Sequence, residues 1–256
     1  MREITLDEQL KKMRSDWDAR AKENARYYVA TLKDDWTDEE FFASGEQTVS
    51  EEILTDMVNI CQGKDPKQMR VIEIGCGAGR ITRALARLFG EVHGVDVSGE
   101  MVAQACKALA NTSNASVYQN NGMDLSVLPE GSYDFAFSTI VFQHIPSRDV
   151  IYNYVREVNR LLRPRGLYLH HTISRRAKKT EKAFRKMPAE YRALVRYIFP
   201  GGELDHLGMS ITNLERHGFE IHDVEGWREH YQRTTPGICS PRFSSTESGV
   251  PTESLQ

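Results

Sequence analysis

The chain has 256 residues, a net charge of −3 and a pI near 6.3, enough length to bury a sizeable core in one domain with additions. The balanced charge argues against nucleic acid as a partner, and no run of about eighteen apolar residues predicts a membrane span. Cys61, Cys76, Cys106 and Cys239 are scattered without metal-ligand spacing, so no metal is expected. With no apolar signal core after Met1-Arg2-Glu3-Ile4, a reduced cytoplasmic protein is the expectation.

Residues 1–47 are charged and helix-prone, with Trp17, Tyr27, Tyr28, Trp36, Phe41 and Phe42 interspersed. They read as an N-terminal helical cap that packs aromatic side chains on the core, or as a lid over a ligand. Thr48-Val49-Ser50-Glu51 reads as a capping box, placing a domain start at 48 and a helix that ends at Gly63. Strands and helices then alternate: strand 70–74, helix 80–89, strand 91–96, helix 99–110 capped by Ser98, strand 115–119 and strand 134–137. A helix led by Ser147 carries the stripe Val150, Ile151, Tyr154, Val155, Val158, Leu161 and Leu162. Pro164-Arg165-Gly166 turns into strand 167–173. This alternation predicts an α/β fold with a doubly wound, mostly parallel sheet.

A helical insertion is expected over 174–217, with seven basic residues and one acid between Arg175 and Lys186. That run reads as a solvated face, or as a patch for an anionic substrate or a peripheral membrane contact. A sixth strand is predicted over 219–224. Twelve of the last 23 residues are Ser, Thr or Pro, so 234–256 reads as a disordered tail, native or the product of a truncation or frame shift. No last antiparallel strand is found in the pattern, and the domain is drawn over 48–233.

The most informative stretch is Val71-Ile72-Glu73-Ile74-Gly75-Cys76-Gly77-Ala78-Gly79-Arg80. It is an apolar strand, a turn with glycines at alternate positions, and a helix start. Glycine permits positive φ and lets a ligand lie on the backbone. A dinucleotide fingerprint would need glycine where Arg80 stands. Instead an acid, Glu73, precedes the turn, which suits a ligand bearing an ammonium group. Seventeen residues after Gly79 a second apolar strand ends in Asp96, the position that takes ribose hydroxyls in doubly wound folds.

These residues resemble motif I and the following acidic strand end of class I S-adenosylmethionine (SAM) dependent methyltransferases. The resemblance implies a Rossmann-like fold and SAM as cofactor. Glu73 would face the methionine ammonium, and Gly75, Cys76, Gly77, Ala78 and Gly79 the methionine and ribose. Asp96 would hold the ribose hydroxyls and Val97 would lie against the adenine, with Met101 a further cofactor-binding candidate. Met123 and Asp124 would pack on and accept from the adenine, and Ser138 with Thr139 would lie near the methionine part.

A second resemblance covers roughly residues 140–234. His171-Thr172-Ile173, Tyr197-Ile198-Phe199-Pro200-Gly201-Gly202-Glu203-Leu204, Gly218-Phe219-Glu220 and His230-Tyr231-Gln232-Arg233-Thr234 look like the cyclopropane-fatty-acid synthase and mycolic-acid methyltransferase family. Those enzymes methylate a lipid alkene and use bound bicarbonate as base. The resemblance implies that His171, Ile173 and Tyr231 hold the bicarbonate. Gln143 stands where that family has a glutamate, and its amide donates to an anion without adding charge. After strands four and five, His144 or His171 could also serve as a base at neutral pH, so the catalytic candidates are His171, His144, Tyr231 and Gln143. Three readings remain open: a methyltransferase for a small, apolar or lipid-like acceptor, a cyclopropane-synthase-like C-methyltransferase, and a SAM-binding protein without catalysis. Acceptor, acceptor atom and oligomeric state are not legible.

Overall fold

The alternation of strands and helices closes into one seven-stranded sheet. The structure is a computed structural model and describes residues 4–129, 133–171, 219–223 and 229–233, with His171 and the last two segments described by backbone alone. Five parallel strands are β1 (Arg70–Ile74), β2 (Glu91–Asp96), β3 (Ala115–Gln119), β4 (Tyr133–Thr139) and β5 (Leu162–His171). They are followed by β6 (Phe219–Asp223) and β7 (Glu229–Arg233), and the spatial order is β3-β2-β1-β4-β5-β7-β6.

The last antiparallel strand, expected to be missing, is present. It is β7, inserted between β5 and β6 and antiparallel to both, with Tyr168 opposite Tyr231 and His170 opposite Glu229. The segment His230-Tyr231-Gln232-Arg233 alternates polar and aromatic residues without an apolar run, so it shows no buried-strand signal. The strand also lies before the polar tail, not within it. The predicted insertion 174–217, its basic run and the tail lie outside the described residues.

The N-terminal cap is α1 (Leu6–Val29) and α2 (Asp38–Glu52), each opened by a complete capping box, Thr5 with Glu8 and Thr37 with Glu40. The box read at Thr48 is not a helix start. Thr48 lies inside α2, where its hydroxyl donates to the Ser44 carbonyl at 3.0 Å, the usual outlet for a threonine within a helix. Residues 47 and 48 therefore belong to one helix. Within α1, Asn24 leaves the helical region (φ −163°, ψ 85°). Its Oδ1 accepts from the Tyr27 N–H at 3.1 Å, so it caps a second helical segment.

Alternate side chains of β1 feed two apolar layers, as strand geometry requires. Ile72 and Ile74 face a layer formed with α6 (Arg148–Leu161), through Val150, Ile151, Tyr154, Val155 and Val158. Val71 faces a layer formed with α3 (Met57–Cys61) and α4 (Arg80–Leu88), through Ile60, Ile81 and Leu85. On the helix predicted to end at Gly63, Leu54 and Val58 are exposed, at 48% and 85%. A 3-10 turn at Leu54–Asp56 breaks the periodicity before α3. The fifth strand starts at Leu162 rather than 167. A register shift opposite Tyr133 and Phe135, with Arg165 at φ 66°, absorbs the Pro-Arg-Gly turn as an irregularity within the strand.

Two points fix this frame. At the foot of β4, Asp134 is 1% exposed and accepts from Lys64 Nζ (2.8 Å), Arg163 Nε (2.5 Å) and the Arg70 N–H (2.9 Å). Burial alone would raise its pKa. The two cations and the amide outweigh that and hold the carboxyl below its ordinary value. At the cap, α2 meets α4 so closely that a Cβ on Gly45 would lie 2.2 Å from the Arg80 carbonyl oxygen.

Asp134→Ala is expected to lower stability by about 3 kcal/mol, because two half-buried cations lose their counter-ion. Urea unfolding at pH 7 measures it. In the wild type this contribution is present above the ordinary carboxylate pKa and is lost as pH falls through the depressed folded value. Gly45→Ala is expected to unseat α2 from α4. It should cost about 1–3 kcal/mol and speed proteolysis within the cap more than within the sheet, which limited digestion would show.

Candidate functional site

The turn between β1 and α4 uses glycine where the backbone demands it: Gly75, Gly77 and Gly79 have φ of 74°, 52° and 83°. L-residues with a Cβ avoid this region. The turn is pinned to β2. The Val95 carbonyl accepts from the N–H groups of both Gly75 (2.8 Å) and Cys76 (3.0 Å). Asp96 Oδ2 accepts from the Gly77 N–H at 2.9 Å, and Oδ1 from the Ser98 N–H at 2.9 Å. Ser98 in turn caps α5 (Gly99–Ala108), accepting from the Met101 N–H.

A cavity of about 740 Å³ opens over this turn, within the range of ligand pockets. Its sheet side is lined by Glu73, Gly75, Cys76, Gly77, Asp96, Val97 and Met101. Gln143 and His144, from the loop after β4, line it as well, together with Thr139. Of the proposed cofactor residues, Gly79, Met123, Asp124 and Ser138 are not in the lining. Met123 is 42% exposed, and Asp124 Oδ1 accepts from the hydroxyl (2.6 Å) and N–H (3.1 Å) of Ser126. Asp124 thus closes a local turn. From the same loop, Asn120 reaches the cavity instead, held by the Tyr154 hydroxyl at 2.7 Å. Ser138 is buried in β4. His171 and Tyr231 lie on β5 and β7; their side chains lie outside the description. The buried neighbour, His170, stacks on Tyr168 at 5.4 Å.

The opposite side of the cavity comes from the cap: Met13, Trp17, Arg20, Tyr28 and Val29 of α1, Trp36, and Ser44, Gln47, Thr48 and Glu51 of α2. Trp17 meets His144 edge to face at 5.1 Å. The cap therefore contributes both to the core and to the cavity wall. Phe41 and Phe42 pack in a buried cluster with Ala78 and Met101, while Trp17, Tyr28 and Trp36 face the cavity. Most of these cap residues escaped the sequence reading because helical spacing marks a face but not what it covers. Ile140, beside them in the lining, has φ 58°. A β-branched residue there is strained.

The two acids carry the electrostatics. Glu73 is 3% exposed; burial pushes its pKa to about 8, against the pull of the Thr82 hydroxyl, which donates to it at 2.5 Å, and of Arg80. Burial also raises Asp96, opposed by the N–H groups of Ser98 and Gly77. Such acids suit a ligand with a cationic end and vicinal hydroxyls, and Val97 and Met101 offer an apolar wall for a base. The donor set and the cavity size fit SAM.

The sheet order, with its reversed β7, and a glycine turn beside two strand-end acids together define the class I methyltransferase architecture. A profile described as "Mycolic acid cyclopropane synthetase" matches residues 40–241. The chain belongs to that family. It is 28% identical over 170 residues to "Probable fatty acid methyltransferase Rv3720" of Mycobacterium tuberculosis, covering 66% of this chain and 38% of that one. It is 30% identical to a "Probable fatty acid methyltransferase" of Pseudomonas putida, covering 64% and 41%. The chain thus spans about two fifths of the length of these curated relatives, at 38% and 41%. A magnesium protoporphyrin IX methyltransferase from Synechocystis, solved with bound SAM, shares the fold, with a TM-score of 0.55, 16% identity and coverage of 88% and 97%. Among the described residues no helix is long and apolar enough to cross a membrane.

Glu73→Gln tests the buried acid. A folded pKa raised above the unfolded value means that stability falls as pH rises from about 4.5 to about 8. The amide is expected to raise the melting temperature of the ligand-free protein by about 5–10 °C at pH 9 and by almost nothing at pH 5. Calorimetric scans across pH read this directly.

Proposed function

We propose that the chain is a SAM-dependent methyltransferase acting on a small, apolar or lipid-like acceptor. The observation that carries this reading is that Glu73, the glycine turn and Asp96 open onto one cavity whose other side is the aromatic cap wall of Trp17, Tyr28 and Trp36. Family membership and the names of the relatives support it. Glu73 would take the ammonium, Asp96 the ribose hydroxyls, and Val97 and Met101 the adenine. Gly79, Met123, Asp124 and Ser138 would support this binding from outside the lining. When bound, SAM supplies an activated methyl group. The chain's own task is then to align acceptor and donor and to exclude water. The cap does the excluding. His144, beside Trp17, would hold or accept an acceptor proton, and Gln143 would orient the acceptor through its amide.

Methylation of a lipid alkene is the second reading, favoured by the family match. It assigns the base to a bicarbonate held by His171, Ile173 and Tyr231. A SAM-binding protein without catalysis is the third reading; the last antiparallel strand, whose absence would favour it, is present as β7. A reduced cytoplasmic setting suits the free Cys61, Cys76 and Cys106.

Asp96→Ala is expected to weaken SAM binding at least 100-fold, since two ribose hydroxyls lose a charged acceptor. Titration calorimetry measures it, and unchanged affinity refutes the ribose assignment. Incubating the chain with labelled SAM and lipid or metabolite extracts, then identifying the product mass, tests transfer itself. Absence of SAM binding by the folded wild type sinks every reading here.

A further inference from the structure

The cavity contains two arginines, and they are used differently. Arg80 is tied to α2: its Nη1 donates to the Ser44 carbonyl (2.9 Å) and the Thr48 hydroxyl (3.0 Å). Arg20 is held only by rings. Its guanidinium carbon sits 4.7 Å from the Trp17 ring centroid and 5.7 Å from that of Tyr28. Among the described residues it makes no ion pair or hydrogen bond. Its neighbours on the cap do: Arg14 donates to the Asn121 carbonyl at 3.2 Å, and Arg26 to the Trp36 carbonyl at 2.8 Å and to Asp38.

Aromatic faces attract a guanidinium and fix its plane, but they leave its five N–H donors unused. A planar fork held in place by two rings, with its edge free and lining a cavity, is arranged for bidentate recognition of a carboxylate. The rest of the cavity strengthens the case. Asp96 and Glu51 also line it, and as carboxylates they repel an anion. Among the described residues of the lining, Arg20 is then the cationic group not already bonded.

We infer that Arg20, mounted on Trp17 and Tyr28, is a carboxylate-binding subsite in the cap wall of this cavity. The inference rests on the proposed methyltransferase reading and extends it, because it fixes which end of a ligand points toward α1. The carboxylate has two possible sources. One is the amino-acid end of the cofactor; the other is the acid head of a lipid-like acceptor.

The test uses the full chain, wild type and the variants Arg20→Gln and Arg20→Lys, each checked for an unchanged thermal unfolding profile. Binding is measured by calorimetry for two ligand pairs. The first pair is S-adenosylhomocysteine and its decarboxylated form. The second is a long-chain carboxylic acid and the alcohol of the same length. The wild type is expected to prefer the carboxylate member of one pair by about 10–100-fold. Arg20→Gln should erase that preference while leaving affinity for the uncharged or decarboxylated member unchanged, and Arg20→Lys should retain part of it. Loss confined to the first pair assigns the subsite to the cofactor; loss confined to the second assigns it to the acceptor. A preference that survives Arg20→Gln in both pairs, or no preference in the wild type, overturns the inference. If the wild type binds neither nucleoside, the methyltransferase reading fails, and the acid and alcohol pair still decides the role of Arg20.

Discussion

The structure depends on a short turn that has no room for a Cβ at Gly75 or Gly77. Between β1 and α4 the chain must reverse, bring its amides onto the β2 carbonyl and carboxylate, and leave its surface open to a ligand. A Cβ on Gly75 would lie 2.3 Å from Val141, and one on Gly77 would lie 2.7 Å from Val29. Those two valines come from the loop after β4 and from the cap. The three parts that surround the cavity therefore meet where glycine leaves room. Gly45, under the carbonyl of Arg80, repeats the device one layer out. The cap and the turn are fitted to each other by missing side chains.

The second constraint is charge. Burying Glu73 beside a ligand site is costly unless something answers it. The Thr82 hydroxyl and the nearby Arg80 do so in part. Arg80 is itself buried deeply enough that its pKa is lowered, and it spends its donors on Ser44 and Thr48 of α2. Arg80 thus acts on the strand-end acid through space and bonds directly to the cap helix. This accounts for an arginine at the place where a dinucleotide-binding turn has glycine. The side chain supplies a positive charge near the buried acid.

The sheet core was legible because its signals are local. Apolar runs at Val71–Ile74 and Val92–Val95, glycine punctuation and the Ser98 cap all act within a few residues, and β1, β2 and α5 follow them. The cap was legible as helical but misdivided. Two boxes of the same chemistry, Thr37 with Glu40 and Thr48 with Glu51, compete for one helix start. The earlier one wins because residues 41, 42, 45 and 49 then form one buried face. β7 was not legible as the closing strand. Its place is set by pairing with β5 and β6, and long-range pairing leaves no mark in a five-residue window. The site was half legible for the same reason. Glu73 and Asp96 are strand-end residues with a fixed relation to the sheet, whereas Trp17, Arg20 and Tyr28 reach the cavity only because α1 folds back over it.

How α1 is held bears on how a ligand enters. Besides the bond from Arg14 to the Asn121 carbonyl, its polar ties to the domain among the described residues run to α5. Asp18 accepts from the Ser98 hydroxyl (2.6 Å) and the Glu100 N–H (3.2 Å), and the Ala21 carbonyl accepts from Gln104 (3.0 Å). Each of these bonds caps or braces α5, the helix that follows Asp96. Beyond the break at Asn24 the chain is held mainly to itself, by Trp36 to the Ala30 carbonyl and Arg26 to the Trp36 carbonyl, each at 2.8 Å. Leu32, at the edge of the cavity, is 91% exposed. Segments with few buried contacts open first, so the turn from α1 to α2 is the compliant side of the cavity, and the flank bound to α5 is the stiff side. Trp17, Arg20 and His144 lie toward the stiff flank, where geometry is kept.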